Sequence, residues 1–264
     1  MNLNLEVDII SPVRRLIKNL FIFYQRLGGW SGVGAYAKIT WYKALPGNKN
    51  RVISIRVPQS KFPLFMRPKT TDPHAFRQVF VKGDYDFPVP FTPKVIVDAG
   101  AHVGYASVYL ASRFPEVTIF AIEPELGNLE IYHRNLSKHG AVKLFRGALW
   151  GSQTALDIAN PDADTWSFRM MESRTGESSV NTITMPEIIT KVGDIDLLKL
   201  DIEGGEKQLF EKDPAWLARV RMVVLELHER YAPGCTRLID DVLTSYGFTK
   251  TEEKGENVIY QKLQ

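Results

Sequence analysis

The 264-residue chain contains a single cysteine, Cys235, and therefore has no partner for an internal disulfide. A lone cysteine fits a reducing compartment. The chain also lacks a large charge excess, since 33 Lys and Arg stand against 30 Asp and Glu. Its 44% of hydrophobic and 24% of charged residues exclude a disordered chain, a collagen-like repeat and a coiled coil. The length allows one large α/β domain or two small ones.

No apolar run reaches the roughly 20 residues that a transmembrane helix needs. The most apolar segment, residues 16–27, is interrupted by Lys18, Asn19, Gln25 and Arg26. Acidic residues precede it and no small-residue cleavage site follows it, which argues against a signal peptide. The sequence therefore predicts a cytoplasmic chain without a membrane span.

Charge is distributed unevenly along the chain. Residues 1–93 carry fourteen Lys and Arg against five Asp and Glu, a balance of +9, whereas residues 94–264 carry nineteen against twenty-five, a balance of −6. The change coincides with residues 86–93, where three prolines exclude a regular helix. We therefore predict a basic N-terminal arm over residues 1–93 and a second domain over residues 94–264.

The arm begins with a predicted amphipathic helix over residues 13–27, with Ser11 and Pro12 as its cap and first residue. Its apolar residues recur at helical spacing, and its basic residues lie off that stripe. Those basic residues are Arg14, Arg15, Lys18 and Arg26. A basic amphipathic helix can rest on an anionic membrane surface, although such helices more often pack against their own protein or a partner subunit. Both interpretations are open.

Further along the arm, four glycines within residues 28–34 predict a flexible link. Alternation of apolar and polar residues over residues 51–57 predicts a half-buried strand, which we expect to pair with residues 62–66. Asp72 precedes Pro73, and this order predicts a helix start with Asp72 as its N-cap.

After residue 93, apolar strands alternate with helices, and the chain closes with a hairpin. The predicted strands are residues 95–98, 117–122, 142–145, 195–200 and 222–227, the helices are residues 102–113, 126–139 and 236–246, and the hairpin strands are residues 247–251 and 258–262. This alternation predicts an α/β fold, with a mostly parallel sheet covered on both faces and an antiparallel edge.

A glycine turn with Gly100 and Gly104 follows the first of these strands. We expect the first glycine to let the backbone approach a ligand, and the second to let the helix pack near the strand. The spacing is G-x-x-x-G, so it does not match the G-x-G-x-x-G turn of nicotinamide-dependent oxidoreductases. Glu123 ends the second strand, where a carboxylate can accept hydrogen bonds from both hydroxyls of a ribose. Together these features predict a nucleoside site, and an ordinary turn beside an exposed charge is the alternative.

A second cluster of polar residues follows the fourth and fifth predicted strands. Asp201, Glu203 and Glu206 come after one strand, and Glu226 and His228 end the other. Carboxylates at one sheet edge repel each other unless a cation, a proton or a substrate hydroxyl lies among them. The pattern predicts a catalytic cluster, and helix capping with solvated charge is the alternative.

Four sequence segments recur here in a fixed order. They are VDAGAHVGYAS, AIEPELGNLEIYHRN, LLKLDIEGGEKQLF and VVLELH. Their order and spacing resemble the FkbM family of S-adenosylmethionine-dependent methyltransferases over about residues 65–264. The resemblance implies a Rossmann-like class I methyltransferase fold with a seven-stranded sheet, preceded here by the basic arm as a cap over the cofactor site. It also implies O-methylation of a sugar, glycan or natural product.

At matching positions the resemblance assigns the methyl donor to a defined set of residues. They are Asp98, Gly100, Ala101, His102, Gly104, Glu123, Pro124, Ala148 and Asp201. The segment from Arg146 to Leu149 would pass near the adenine. The family commonly has asparagine where this chain has His102.

A hydroxyl is a poor nucleophile near neutral pH, so we expect a general base. The candidates are Asp201 and His228, with Glu226 orienting the histidine or Glu203 binding a neighbouring substrate hydroxyl. A divalent cation held by the carboxylates could lower the hydroxyl pKa instead. No spacing in the sequence requires a metal, and we favour a metal-free site.

Several alternatives remain open at this point. The basic arm suits an RNA or protein methyltransferase, but the Asn/Asp-Pro-Pro-Tyr/Phe signature common in amine methylation is absent. A non-catalytic, membrane-associated binding module, peripheral at the inner membrane face, is a further interpretation. Residues 161–175 have no clear counterpart in the family pattern and form either a substrate lid or a surface insertion.

Overall fold

The structure is a computed structural model that describes residues 12–160, 169–173 and 180–262. The α-helices are α1 (Pro12–Arg26), α2 (Trp30–Ala44), α3 (Asp72–Phe76), α4 (Tyr105–Arg113), α5 (Leu126–Leu136), α6 (Met185–Val192), α7 (Glu206–Glu211) and α8 (Cys235–Ser245). A π-helix, Arg77–Lys82, continues α3, and a 3₁₀-helix, Pro214–Arg219, precedes the fifth strand of the main sheet.

Thirteen strands form one large sheet and three small ones in the described part of the chain. They are β1 (Ile53–Ile55), β2 (Leu64–Met66), β3 (Val95–Ala99), β4 (Thr118–Glu123), β5 (Val142–Arg146), β6 (Ala148–Leu149), β7 (Leu156–Ile158), β8 (Met170–Glu172), β9 (Thr182–Ile183), β10 (Ile195–Leu200), β11 (Val220–Glu226), β12 (Phe248–Lys254) and β13 (Asn257–Lys262).

The main sheet has seven strands in the order β12-β13-β11-β10-β3-β4-β5. The five strands from β11 to β5 are parallel, and the β12–β13 hairpin adds an antiparallel edge. This architecture confirms the predicted α/β fold. Because the strand order reverses between β3 and β10, a crevice opens at their carboxyl ends, where open α/β sheets bind ligands.

The central strands are apolar because both of their faces are covered. Ile96 and Leu197 belong to one buried cluster, and their chain neighbours Val97 and Leu198 belong to another. Successive residues of a strand point to opposite faces, so the two clusters lie on opposite sides of the sheet.

One of these clusters contains residues from both sides of residue 93. The rings of Phe76 and Phe80 each lie 5.9 Å from the ring of Tyr105, the first residue of α4. Buried residues of the β1–β2 pair join the same cluster, and the antiparallel pairing predicted for these strands is confirmed. The residues before position 93 thus pack directly on the helices of the sheet.

The prediction of a flexible link over residues 28–34 was wrong. Only Gly28 and Gly29, with φ of 77° and 69°, form the turn, and α2 begins immediately afterwards. A Cβ atom on Gly32 would lie 2.0 Å from the carbonyl oxygen of Phe23, so the absence of a side chain lets α2 pack closely on α1. Glycine here serves helix contact instead of flexibility.

The predicted N-cap at Asp72 was also wrong. Helix α3 starts at Asp72 itself, with Thr71 before it. The Asp72 carboxylate is buried and accepts hydrogen bonds from the backbone N–H and the guanidinium of Arg67, at 2.7 and 2.8 Å. A charged partner is a stronger claim on a buried carboxylate than a helix end. Ser11, the predicted cap of α1, lies outside the described residues.

The proposed lid or insertion is described only in part. Residues 170–172 form β8, which pairs antiparallel with β7. Residues 161–168 and 174–175 lie outside the described residues, so both interpretations of the segment stay predictions. Within the residues that the structure does describe, no helix is long and apolar enough to cross a membrane.

Replacement of Gly32 tests the α1–α2 contact. We expect Gly32→Ala to lower the free energy of unfolding by about 1–3 kcal/mol, because its methyl group overlaps the α1 backbone. Denaturant unfolding followed by tryptophan fluorescence measures the change. Gly34→Ala is the matched control: nothing lies within 4 Å of its added Cβ, so stability should be unchanged or higher. Equal effects of the two variants would contradict the packing role.

Candidate active site

The carboxyl ends of β3, β4, β10 and β11 border one cavity. On the sheet side it is lined by Gly100, Ala101, His102, Ile122, Glu123, Pro124, Gly147, Ala148, Leu149, Trp150, Lys199, Asp201, Ile202, Glu203 and Glu226. The opposite wall comprises Ala75, Gln78, Val79, Asp84, Tyr85, Tyr105, Ala106, Met170, Glu256 and Asn257. Sequence reasoning had not singled out Trp150, Tyr85 or the hairpin residues as part of the site.

Most of the predicted site residues meet at this cavity. Those that line it are Gly100, Ala101, His102, Glu123, Pro124, Ala148, Asp201, Glu203 and Glu226. Three predicted residues do not line it, namely Asp98, Gly104 and His228. Asp98 and Gly104 support neighbouring structure, and His228 lies behind the carboxylates.

The two turn glycines serve packing in ways that differ from the predictions. Gly100 has φ of 75°, and a Cβ there would lie 1.7 Å from the carbonyl oxygen of Asp201, so the close neighbour is the adjacent strand end. Gly104 has φ of 84°, and its Cβ would meet the Leu136 and Tyr132 side chains of α5 at 2.6 and 2.8 Å. The spacing of the motif therefore reflects the approach of β10 and α5.

His102 occupies the tip of the turn in the left-handed region, with φ of 49°. Asparagine and histidine enter that region more readily than most residues, which accounts for either one at this position. Its backbone N–H donates to Oε2 of Glu123 at 2.8 Å, and its Nε2 lies 3.7 Å from Oδ1 of Asp72. Burial lowers the pKa of His102 to about 4, so the ring is neutral near pH 7.

Glu123 is 5% exposed, so the alternative of an exposed strand-end charge does not describe it. Its carboxylate accepts hydrogen bonds from the backbone of His102 and Glu125 and from the Asn128 amide, at 2.8–3.0 Å. Burial raises the pKa of Glu123 to about 7, although these hydrogen bonds oppose the rise. Three donors thus hold the carboxylate in one orientation at the cavity wall.

Lys199 is a site residue that sequence reasoning missed. Its Nζ lies 3.2 Å from Oδ1 of Asp98 and 3.5 Å from Oδ2 of Asp201, and it donates to the carbonyl of Gly100 at 2.6 Å. Asp98 is fully buried and also accepts from Ser107, so it holds the lysine instead of a ligand. A lysine near the end of an apolar strand was the available indication.

The charge of Lys199 is maintained by its neighbours. Burial alone lowers the pKa of Lys199, but the nearby Asp98, Tyr85 and Asp201 outweigh it and raise the pKa above the ordinary value. The lysine is therefore a fixed cation in the wall of the cavity.

His228 lies at the centre of four carboxylates. Its Nδ1 is 3.0 Å from Oε1 of Glu206. Its Nε2 is 3.5 Å from Glu203, 3.5 Å from Glu226 and 4.0 Å from Asp201. The sequence had predicted that the carboxyl groups would need a proton, a cation or a substrate hydroxyl among them, and the imidazole ring occupies that position.

Glu206 orients the histidine, a role that the sequence analysis had given to Glu226. It is fully buried and accepts hydrogen bonds from the backbone N–H groups of Ile202 and Gly204 at 3.0 and 2.9 Å. These bonds hold the Glu206 carboxylate in place against Nδ1 of His228. The signal for this role was the second glutamate of the D-x-E-G-x-E pattern.

Protons are retained in this cluster at neutral pH. Burial alone lowers the pKa of His228, but the hydrogen bond and charge of Glu206, with Asp201 and Glu203, raise it to about 9. Burial and the charge of Asp201 raise the pKa of Glu203 to about 7 and that of Glu226 to about 8. The ring is thus an imidazolium near pH 7.

Asp201, Glu203 and His228 could also hold a divalent cation. Each offers one ligand atom, and the three atoms lie within 4.8 Å of one another. Carboxylate oxygens and imidazole nitrogens are common ligands of such ions, and a carboxylate behind the histidine is a frequent second partner. Oε2 of Glu203 is buried and has no hydrogen-bond partner among the described residues, which suits a ligand. A bound cation would require His228 to lose its proton.

Comparison with protein families identifies a methyltransferase domain. Residues 98–250 match the family described as methyltransferase FkbM domain. Methyltransferase sdnD of Sordaria araneosa is 25% identical over 219 residues, which cover 69% of this chain and 83% of that protein. Methyltransferase 1 of Beauveria bassiana is 23% identical over 209 residues, which cover 68% of this chain and 82% of that protein.

Among solved structures, a putative caffeoyl-CoA O-methyltransferase from Staphylococcus aureus aligns with a TM-score of 0.43 and 11% identity. The alignment covers 92% of this chain and 96% of that one.

The cluster around His228 predicts a decline in stability as the pH rises. The folded pKa of His228, about 9, lies above its ordinary value of 6.5, so this stabilisation is complete below pH 6.5 and is lost towards pH 9. Glu203 and Glu226 act in the same direction, because their raised pKa values also mean that the folded state binds more protons. We expect the free energy of unfolding to fall between pH 6.5 and 9.

Denaturant titrations at half-unit pH steps measure this decline. In His228→Asn the fall between pH 8 and 9 should be smaller, whereas His133→Asn, an exposed histidine of α5, should follow the wild type. An unchanged pH profile in His228→Asn would show that the cluster does not retain the proton.

Proposed function

The chain belongs to the FkbM family of methyltransferases, and from this premise we propose that it transfers the methyl group of S-adenosylmethionine to a hydroxyl oxygen of a sugar, glycan or natural product. The observation that carries the proposal is the cavity at the sheet switch point. It combines an oriented carboxylate, Glu123, with the separate acidic group of Asp201, Glu203 and Glu226.

The donor would occupy the side of the cavity formed by β3, β4 and the segment after β5. Glu123 would accept hydrogen bonds from the ribose hydroxyls, since its carboxylate is already oriented by three donors. The backbone of Gly100 and His102 would contact the methionine part of the donor, and residues 147–150, with the Trp150 ring, would border the adenine.

The proton of the acceptor hydroxyl would leave through Asp201. S-adenosylmethionine, when bound, supplies a methyl group that its sulfonium already activates. The chain must then align the hydroxyl oxygen at about 3 Å and remove its proton as the C–O bond forms and the C–S bond breaks. Asp201 lines the cavity with its side chain 29% exposed, so it can reach a substrate.

His228 is less suited to be the base, because an imidazolium has no free lone pair to accept a proton. We assign it a positioning role: its charge offsets the repulsion between Asp201, Glu203 and Glu226. The latter two carboxylates would accept hydrogen bonds from neighbouring hydroxyls of the acceptor. This arrangement suits a polyhydroxylated molecule.

The charge of the cavity argues against a polyanionic acceptor. Six carboxylates line it, and Lys199 is the one Lys or Arg among the described lining residues. The carboxylates are Asp84, Glu123, Asp201, Glu203, Glu226 and Glu256. Phosphates would be repelled here, so the RNA methyltransferase interpretation gains no support from the site.

Two substitutions separate donor binding from methyl transfer. Glu123→Ala should weaken S-adenosylmethionine binding by about 10- to 100-fold, because two hydrogen bonds to the ribose are lost. Asp201→Asn should leave donor affinity within about threefold and lower kcat by about 100-fold or more, because the base is removed. Calorimetric titration and a transfer assay measure the two quantities.

Glu116→Gln, an exposed carboxylate outside the cavity, is the control for charge. Full turnover in Asp201→Asn would refute the assignment of the base. Unchanged donor affinity in Glu123→Ala would place the ribose elsewhere. A wild-type chain that binds no donor would favour the non-catalytic module and overturn the proposed function.

An acceptor screen with labelled donor tests the substrate class. Neutral saccharides and hydroxylated natural products should accept label, and RNA should not, because of the acidic cavity. Transfer should be unaffected by EDTA, since the proposal requires no metal. Loss of transfer in EDTA, with recovery on adding Mg²⁺ or Mn²⁺, would instead assign a metal to Asp201, Glu203 and His228.

A further inference from the structure

The apolar stripe of α1 faces away from the protein. Val13, Ile17 and Phe21 are 63%, 60% and 58% exposed, and Leu16 and Tyr24 are exposed beside them. Seven of the nine exposed large hydrophobic side chains in the described part of the chain lie on α1 and α2. A surface of this kind on one element marks a contact site.

Helix α2 extends this surface with two tryptophans. Trp30 is 79% exposed and Trp41 is 65% exposed. They are eleven residues apart, which is close to three helical turns, so they lie on one face. The ring of Trp30 is 5.9 Å from that of Tyr24, which joins the faces of the two helices. We call Val13, Leu16, Ile17, Phe21, Tyr24, Trp30 and Trp41 the hairpin face.

The opposite side of the hairpin is fixed to the protein. Phe23 and Leu27 are buried, and the Arg26 guanidinium donates to the carbonyls of Val81 and Lys82 at 3.0 Å each. Lys38 donates to a carbonyl of β1 at 2.9 Å. The hairpin therefore cannot turn its apolar face inward without breaking these contacts.

The sequence around the hairpin face has one sign of charge. Residues 9–71 contain twelve Lys and Arg and no Asp or Glu. Arg14 and Lys18 lie one turn apart, beside the apolar stripe, and Arg15 is also exposed. An occupant of this face should therefore be both apolar and anionic. A second copy of the hairpin would bring like charges together.

We propose that the hairpin face binds the surface of an anionic lipid bilayer. Aromatic side chains would lie at the level of the head groups, aliphatic ones just below, and the basic residues against lipid phosphates. The helices have fifteen residues each, too few to cross a bilayer, so they would lie in its plane. The proposal does not depend on the methyl donor or acceptor.

Flotation of the full chain with vesicles tests this proposal. Vesicles of 70% phosphatidylcholine and 30% phosphatidylglycerol should bind the chain, with a blue shift of tryptophan fluorescence, and pure phosphatidylcholine should bind it far less. Binding should weaken at high salt. Ile17→Ser/Phe21→Ser and, separately, Arg15→Glu/Lys18→Glu should each lower the partition coefficient by about tenfold or more.

Leu126→Ser is the matched control, because Leu126 is 59% exposed on α5, outside the hairpin. It should bind vesicles as the wild type does. Circular dichroism of every variant reports folding, which exposed substitutions should leave unchanged. Absence of binding to either vesicle, or equal binding by all variants, would overturn the proposal. So would a wild-type dimer that dissociates in Ile17→Ser/Phe21→Ser without vesicle binding.

Discussion

A buried ion pair between the two central strands is the interaction on which the site depends. Lys199 of β10 and Asp98 of β3 are register partners in the sheet, and both side chains are almost completely buried. Removing one partner of such a pair leaves an uncompensated charge and typically costs about 3–5 kcal/mol. The lysine also donates to the carbonyl of Gly100, which places the glycine turn, and it lies beside Asp201. One cation thereby ties the turn of the proposed donor site to the proposed base.

A second cation organises the acidic half of the cavity. His228 is surrounded by Asp201, Glu203, Glu206 and Glu226, and its proton offsets their repulsion. Protonation and metal binding use the same nitrogen, Nε2, so they exclude each other. The carboxylates hold the proton tightly near neutral pH, and a metal would have to displace it. This competition makes the metal requirement of the site a question of pH as well as of ligand geometry.

The sequence predicted the sheet well because its strands are short apolar runs between polar turns. β10 was predicted with its observed bounds, Ile195–Leu200. Contacts between elements were harder to predict. The motif marks Gly100 and Gly104, but only the fold reveals that their missing side chains make room for β10 and α5. Gly32 was read as a helix breaker for the same reason, since nothing in one sequence distinguishes flexibility from close packing.

The net charge of +3 conceals two surfaces of opposite sign. The cavity is acidic and the hairpin basic, so the two would attract different molecules. They are nonetheless mechanically connected. Arg26 is bonded to the carbonyls of Val81 and Lys82, and the chain continues from there into Asp84 and Tyr85, which line the cavity. A hairpin held at a charged surface would therefore hold the outer wall of the cavity at a fixed distance from it. The separation of charge keeps anions at the hairpin and away from the carboxylates.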